Sequence, residues 1–388
     1  MPNLTSVDLG LLVLAALTTL VLAAECIDFA IGHRRLRFLN DVMPARAVPP
    51  VSIIAGARNE ARGIEAAVTS LLRLDYPALE IIIVNDRSTD ETGAILERLA
   101  RQHSRLTIRH ISELPEGWLG KNHALYVGAA DASGTLLLFT DADVVFEPTT
   151  LRRAITLMEQ DELDHLTAIP DTKVPGVALN AFVAAFGVFF SLYARPWKAR
   201  DPHSRHHIGV GAFNLMRADV YRAIGTHRAI AMRPDDDMKL GKLVKKCGFR
   251  QDVVHGRAFI TVEWYASLRE LIDGLMKNAF AGVNYSLLAV AGSTAALFLT
   301  NVWPFLALFA THGVTKALNG VSVLLIVLIF WISARASGAR LGYVLAFPAA
   351  ALLFAYIIWR AALLAVIRGS VTWRGTAYPL AQMRANRV

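Results

Sequence analysis

At 388 residues, 54% hydrophobic and 19% charged, the chain is too apolar for an ordinary water-soluble protein and too charged to lie wholly within a bilayer. Its formal charge of +8 is unevenly placed, because nine Lys and Arg and no acid lie from Gly274 onward, leaving 31 basic against 32 acidic residues before that point. A polar part so nearly neutral, with its charges interleaved, excludes a nucleic-acid partner and directs the basic excess toward phospholipid headgroups.

In chain order, Leu9 to Ile31 is one apolar run closed by His33-Arg34-Arg35-Leu36-Arg37, with no small-residue cleavage site. Residues 1–33 are therefore expected to be a membrane anchor whose arginine cluster stays cytoplasmic. A linker with Pro44, Pro49 and Pro50 leads into Val51-Ser52-Ile53-Ile54-Ala55, a β-branched run expected to be a buried strand. The pattern then predicts a helix near Gly63 to Leu74, a strand Glu80 to Val84 and a helix Thr89 to Gln102. Two more strands follow, around Leu106 to His110 and over Leu136 to Phe139. Such alternation predicts an α/β domain, residues 48–285, with a mostly parallel sheet and helices on both faces. Ligands on such sheets bind at the carboxyl ends of the strands.

Within that domain Val177 to Ala194 is apolar and long enough to cross a bilayer. A crossing would put Asp141 and the acids near Asp235 on opposite sides, so residues 177–194 are expected to form an in-plane interfacial helix. Arg195, Trp197, Lys198 and Arg200 would then lie at headgroup level; a buried core helix is the alternative. Leu287 to Ala310, Leu318 to Ala334 and Leu341 to Ile367 read as three spans within residues 286–368, followed by a basic tail, residues 369–388. Three crossings would put Arg374, Arg384 and Arg387 on the outer side, against the positive-inside tendency. A re-entrant stretch at Pro304 or Pro348, or a tail on the far surface, are the two ways out. Cys26 and Cys247 have no ligand spacing, which excludes a disulfide framework and a zinc site.

Polar residues concentrate at strand ends. Asp141-Ala142-Asp143 follows an apolar run, and two carboxylates about 4 Å apart repel by roughly 4 kcal/mol at an effective dielectric near 20. A divalent cation, Mg2+ or Mn2+, would relieve that repulsion; a solvated turn is the bland alternative. After Ile81 to Val84 comes Asn85-Asp86-Arg87-Ser88-Thr89-Asp90, where Ser88 or Thr89 could simply cap the next helix, while Asp86 sits where a base or ribose can be recognised. Gly120-Lys121 enters a helix, where backbone N–H groups and the ammonium favour an anion. Asp235-Asp236-Asp237 precedes the helix with Met238, Leu240, Leu243 and Val244, and could merely favour its N-terminus. His203, His206 and His207 are read as a polar loop, and His255 as structural.

Three segments, Val51 to Glu60, Val84 to Asp90 and Thr140 to Asp143, in this order and spacing, resemble family 2 glycosyltransferases. The resemblance implies a GT-A nucleotide-diphospho-sugar fold plus transmembrane helices. Ala57, Asn59, Glu60, Asp86, Lys121 and Asp141 would bind the donor, with Asp143 and Asp141 on the metal. Asp237, followed three residues later by Leu240, takes the position of the catalytic base, and Asp236 the acid before it. Gly211 and Ala212, from Gly209-Val210-Gly211-Ala212, and Trp197 would lie in the acceptor region. The Gln/Arg-x-x-Arg-Trp signature of polymer synthases is not found around Trp264 to Tyr285. The layout is instead similar to ceramide glucosyltransferase and to hopanoid- and carotenoid-associated members. The expectation is an inverting transfer of one sugar, from a UDP-sugar, to a membrane-lipid hydroxyl on the cytoplasmic face of a bacterial-type inner membrane. Transfer to a polyprenyl phosphate and a non-catalytic nucleotide-binding scaffold are the alternatives.

Overall fold

A computed structural model describes residues 6–44 and 48–388 and divides the chain into two compact units. Residues 1–5 of the expected anchor and residues 45–47 of the linker lie outside the described residues.

Leu36–Lys173, Pro196–Trp264 and Gly369–Val388 form an α/β unit. Its strands, numbered along the chain, are β1 (Arg37–Phe38), β2 (Val51–Ala57), β3 (Leu79–Asp86), β4 (Leu106–Ile111), β5 (Leu136–Asp141), β6 (Val144–Phe146), β7 (His165–Ile169), β8 (Asp171–Lys173), β9 (Asn214–Arg217), β10 (Gln251–His255) and β11 (Ile260–Glu263), with β12 (Ser370–Trp373) and β13 (Thr376–Pro379) as a terminal hairpin. The main sheet runs β1-β10-β7-β9-β5-β2-β3-β4, and β9 alone is antiparallel to its neighbours. Strands β6, β11 and β8 make a second, smaller sheet.

Ile53, Ile54, Ile81, Ile82, Ile83 and Val84 are all buried, as strands covered on both faces require. Helices number along the whole chain, and those of this unit are α2 (Ile64–Leu72), α3 (Thr92–Ala100), α4 (Gly120–Asp131), α5 (Thr150–Gln160), α7 (Ala218–Ala223), α8 (Asp236–Lys246) and α14 (Leu380–Ala385). Helix α4 lies close on the sheet because Gly128 leaves no side chain there; a Cβ would come 2.7 Å from Ile54. The predicted strands and helices from Val51 to Phe139 are all present. Strand β3 runs on to Asp86 and β5 to Asp141, so each acid is the last residue of its strand. Ser88 and Thr89 do not cap the helix: α3 begins at Thr92, and Asp90 Oδ1 accepts the Thr92 N–H (3.0 Å).

The helical unit comprises the chain up to Arg35, Val174–Arg195 and Tyr265–Arg368. It contains α1 (Ser6–His33), α6 (Gly176–Ala194), α9 (Leu268–Gly282), α10 (Leu287–Asn301), α11 (Trp303–Ala310), α12 (Gly313–Ser337) and α13 (Phe347–Arg368). Among the described residues, Ser6–His33, Gly176–Lys198, Gly313–Ser337 and Leu341–Arg368 are long and apolar enough to cross a membrane. Leu9, Leu17 and Leu20 of α1 and Leu324 and Leu328 of α12 are exposed, an arrangement suited to lipid. The first expected C-terminal stretch is not one helix. It breaks at Val302 into α10 and α11, with Pro304 in the first turn of α11, where its missing N–H costs no hydrogen bond. A second break, between α9 and α10, bends the chain by 113°.

Candidate active site

The loops after β2 and β3 are tied into one wall. Asn59 sits in the left-handed region (φ 54°), which asparagine tolerates. Its Oδ1 accepts the Thr89 N–H (2.8 Å), and its own N–H donates to Ser88 Oγ (3.0 Å). Glu60 N–H donates to Thr92 Oγ1 (2.8 Å) and Ala61 N–H to Asp90 Oδ2 (3.1 Å). Beside this wall Asp86 is buried, with both carboxylate oxygens held by Arg87 at 2.7 and 3.0 Å. Gly120 is required there, since a Cβ would lie 2.4 Å from Asp86 Oδ2.

Helix α4 then joins the loops after β2 and β3 to the acids at α8. Lys121 Nζ lies 2.8 Å from Asp141 Oδ1 and 3.2 Å from Asp236 Oδ2. The next residue, Asn122, is buried and donates to the carbonyls of Ile230 (2.8 Å) and Arg233 (2.9 Å), fixing the segment that leads into α8. Leu119 N–H donates to Ala231 O (2.8 Å). On the far side, pairing of β9 with β5 brings Ala212 to Thr140, whose Oγ1 donates to the Ala212 carbonyl (2.8 Å). Gly211 abuts Asp141: a Cβ would stand 2.8 Å from Asp141 Oδ2 and 3.4 Å from Lys121 Nζ.

The three consecutive acids separate by their partners. Asp235 is buried against Arg233 in a two-pronged pair (2.9 Å each) with Lys239 at 3.4 Å, so its charge is spent on structure. Asp236 is buried on Lys121. Asp237 forms no ion pair among the described residues; its Oδ2 accepts the Gly211 N–H (2.9 Å) and its Oδ1 the Met238 N–H (2.7 Å). Loss of solvation and then the charge of Asp236 push the Asp237 carboxyl up to about 7. Burial works to lower the Lys121 pKa, but Asp141, Asp236 and Asp237 outweigh it and raise it well above the usual lysine range. Beneath these groups lie Phe139, Leu125, Leu240 and His227. Burial holds the His227 imidazole neutral, down to about 3, with its Nδ1 on Tyr221 OH (2.7 Å).

Asp143 is pushed up to about 7, by desolvation first and then by Asp141 and Glu60. Among the described residues no three acidic, His or Cys side chains are assembled to hold a metal unaided. Asp141 and Asp143 supply hard oxygen donors whose mutual repulsion a divalent cation would relieve. Such a donor set fits a cation that completes its coordination with phosphate oxygens.

The structure thus gathers Lys121, Asp141, Gly211, Ala212, Asp236 and Asp237 around one crevice, with Ala57 and Asp86 at the adjoining strand ends and Asn59, Glu60 and Asp143 on the loops that follow strands. Trp197 is buried in the turn Pro196–Lys198. His255 stacks on Phe38 (4.7 Å between centroids), and burial lowers its pKa to about 4. Sequence reasoning missed the Arg233 clamp and the terminal hairpin. The hairpin had left a signal, β-branched and aromatic residues in Val371-Thr372-Trp373 before an Arg-Gly turn.

Residues 52–225 match the family model described as Glycosyl transferase family 2. Over those residues, fewer than half of its length, the chain carries a family 2 glycosyltransferase domain. A 4,4'-diaponeurosporenoate glycosyltransferase of Staphylococcus haemolyticus is 22% identical over 236 residues, 60% of this chain and 62% of the relative. A beta-monoglucosyldiacylglycerol synthase of Synechocystis is 36% identical over 109 residues, 28% of this chain and 22% of the relative. The chain therefore spans less than two thirds of these relatives' lengths. A mannosyltransferase of Pyrobaculum calidifontis, solved in complex with GDP-Man and Mn2+, superposes with a TM-score of 0.55 at 19% identity, covering 92% of this chain and 99% of that one. The glycosyltransferase domain is of GT-A type, as the motifs implied.

Proposed function

We propose that the protein is a membrane-bound inverting glycosyltransferase that moves one sugar from a nucleoside diphosphate to a hydroxyl of a membrane lipid. The observation that carries this reading is the Lys121 bridge, which joins Asp141 at the end of β5 to Asp236 at the start of α8. It unites a donor-side acid with the segment that bears a base. Asp237 removes the acceptor hydroxyl proton as that oxygen attacks the anomeric carbon, and the bond to the diphosphate breaks on the opposite face. Its raised pKa suits a base working near neutral pH. Asp86 and the loop Ala57 to Glu60 hold the nucleoside, while Gly211 and Ala212 line the acceptor side. Asp143 and Asp141 would hold a Mg2+ or Mn2+ ion, which supplies charge neutralisation to the departing diphosphate.

A neutral hydroxyl acceptor is favoured over a polyprenyl phosphate because Asp141, Asp143, Asp236 and Asp237 would repel a second anionic group. Relatives named for diaponeurosporenoate and for a glucosyldiacylglycerol fit a lipid acceptor. Connectivity supports a topology as well. The chain leaves the α/β unit at Trp264 and rejoins it at Gly369, so an even number of crossings lies between if that unit occupies one side. Helices α12 and α13 supply two, and the stretch from α9 to α11, bent by 113° between α9 and α10, would then enter and return without crossing. By the same parity α6, between Lys173 and Pro196, does not cross and lies in the interface. The basic tail then shares the cytoplasmic side with the arginines after α1, in accord with the positive-inside tendency.

Purified protein given UDP- and GDP-sugars with neutral hydroxylated lipids or polyprenyl phosphates, and analysed by mass spectrometry, tests this. A neutral lipid gaining one sugar mass is the expected product. Transfer to the phosphate acceptors alone would overturn the acceptor assignment, and no transfer from any donor would overturn the enzyme reading.

A further inference from the structure

The terminal segment Gly369–Val388 belongs to the α/β unit and runs from the first donor loop to the segment entering α8. Its hairpin turns through Arg374-Gly375, both left-handed (φ 46° and 78°), the pattern of a type I′ turn. Glycine, asparagine or aspartate normally opens such a turn; an arginine there is in a conformation that L side chains seldom adopt. Its guanidinium, on the tip, pairs with the Glu60 carboxylate and donates to the Arg58 carbonyl. Four residues on, Tyr378 is buried with its hydroxyl accepting the Gly120 N–H (3.4 Å), and it interacts with Arg87, the partner of Asp86. Farther along, Asn386 Nδ2 donates to Ala229 O and its Oδ1 accepts the Met232 N–H, both at 3.0 Å, while Lys242 Nζ donates to Val388 O (2.6 Å).

The tail is therefore anchored at its far end without help from the hairpin tip. Arg374 and Tyr378 instead meet Glu60, assigned above to the donor, and the neighbours of Asp86: Arg87 just after β3 and Gly120 at the start of α4. An entering diphosphate needs cations, and Lys121, Arg87 and Arg58 are each already shared with acids. The Arg374 side chain is 43% exposed, within reach of a ligand on that wall.

We propose that the C-terminal hairpin forms a wall of the donor site, with Arg374 turning from Glu60 to contact the nucleoside diphosphate and Tyr378 positioning the Arg87–Asp86 pair for the base. This rests on the donor site proposed above. The test is calorimetric titration of full-length protein in lipid nanodiscs with UDP and with GDP, each with Mg2+ or Mn2+. Arg374→Ala should weaken binding of the preferred nucleotide by about tenfold, and Tyr378→Phe by a few-fold. Asn386→Ala, which loosens only the far anchor, should leave binding unchanged. Arg374→Gln retains a donor to the Arg58 carbonyl without the charge, and is read in the same way if the alanine variant fails to fold. Wild-type affinity in the folded Arg374 variants overturns the donor-wall role. Equal weakening in Asn386→Ala overturns direct contact, since loss of tail docking would then account for it. Wild-type protein that binds neither nucleotide overturns the donor site itself, and this inference with it.

Discussion

The two units hold polar groups in opposite ways. In the α/β unit the crevice concentrates carboxylates, and they are held in distinct ways: Arg87 on Asp86, Lys121 shared by Asp141 and Asp236, an Arg233 clamp on Asp235, backbone N–H groups on Asp237. In the helical unit the fully buried polar side chains among the described residues are uncharged, and hydroxyl and indole groups join the helices. Thr19 Oγ1 meets Ser322 Oγ (2.9 Å) across α1 and α12, and Trp359 Nε1 donates to Thr294 Oγ1 (3.0 Å) across α13 and α10. Charge placement specifies one unit and apolar packing the other. Substitutions in the first should therefore cut activity steeply, and those in the second should shift stability by little.

The steepest contrast is expected from Asp237→Asn. Removing a general base costs roughly 10²- to 10⁴-fold in turnover, while nucleotide affinity should stay near that of the wild type. Turnover and calorimetry on one preparation check both halves, and normal turnover would exclude Asp237 as the base. The same group sets a pH dependence. Because its pKa is raised to about 7, the protonated, inactive form accumulates as pH falls, so kcat should drop about tenfold per unit below that point and level off above it. Asp236→Asn removes a neighbouring negative charge and should move this acidic limb to lower pH. A kcat–pH profile at saturating metal that does not shift would assign the limb to another group.

Two glycines sharpen the comparison inside the α/β unit. At Gly209 a Cβ would stand 1.9 Å from the Asp237 carbonyl oxygen, so backbone must move. Gly209→Ala should lower stability by about 1–3 kcal/mol, read by thermal unfolding. At Gly211 the obstacles are the side-chain ends of Asp141 and Lys121. Gly211→Ala should keep the melting temperature while losing roughly 10- to 100-fold in turnover through displaced acids. Equal losses of stability in both would mean that Gly211 serves the fold alone.

The legible half of the α/β unit is its first half. Ile53-Ile54 and Ile81 to Val84 are short β-branched runs between turn residues, and both strand tips end on acids, so strands and site residues were readable together. Strands β7, β9 and β10 were not, because His165, Thr167, Asn214, Gln251 and Asp252 interrupt the apolar pattern although all are buried. Their polar side chains find partners outside their own strands, such as Asn214 for His165 Nε2 and Gly241 O for Gln251. Local periodicity cannot register that. In the same way Asp235, Asp236 and Asp237 look alike in the sequence and differ only once Arg233 and Lys121 are brought to them. The C-terminal hairpin lay beyond a membrane segment, where the charge of Arg374 was read as an orientation signal rather than as a contact to Glu60.

The smallest effect is expected where an indole joins two helices of the helical unit. Trp359→Phe keeps an aromatic ring between α13 and α10 but removes the donor to Thr294, whose hydroxyl also donates to the Val290 carbonyl and so keeps a partner. Interhelical hydrogen bonds of this kind average about 0.6 kcal/mol in a bilayer. Unfolding in mixed micelles should therefore move by less than about 1 kcal/mol with turnover unchanged. A loss of several kcal/mol would mean that this contact, like the Arg233 clamp, is a specified polar joint, and the distinction between the two units would then be one of degree.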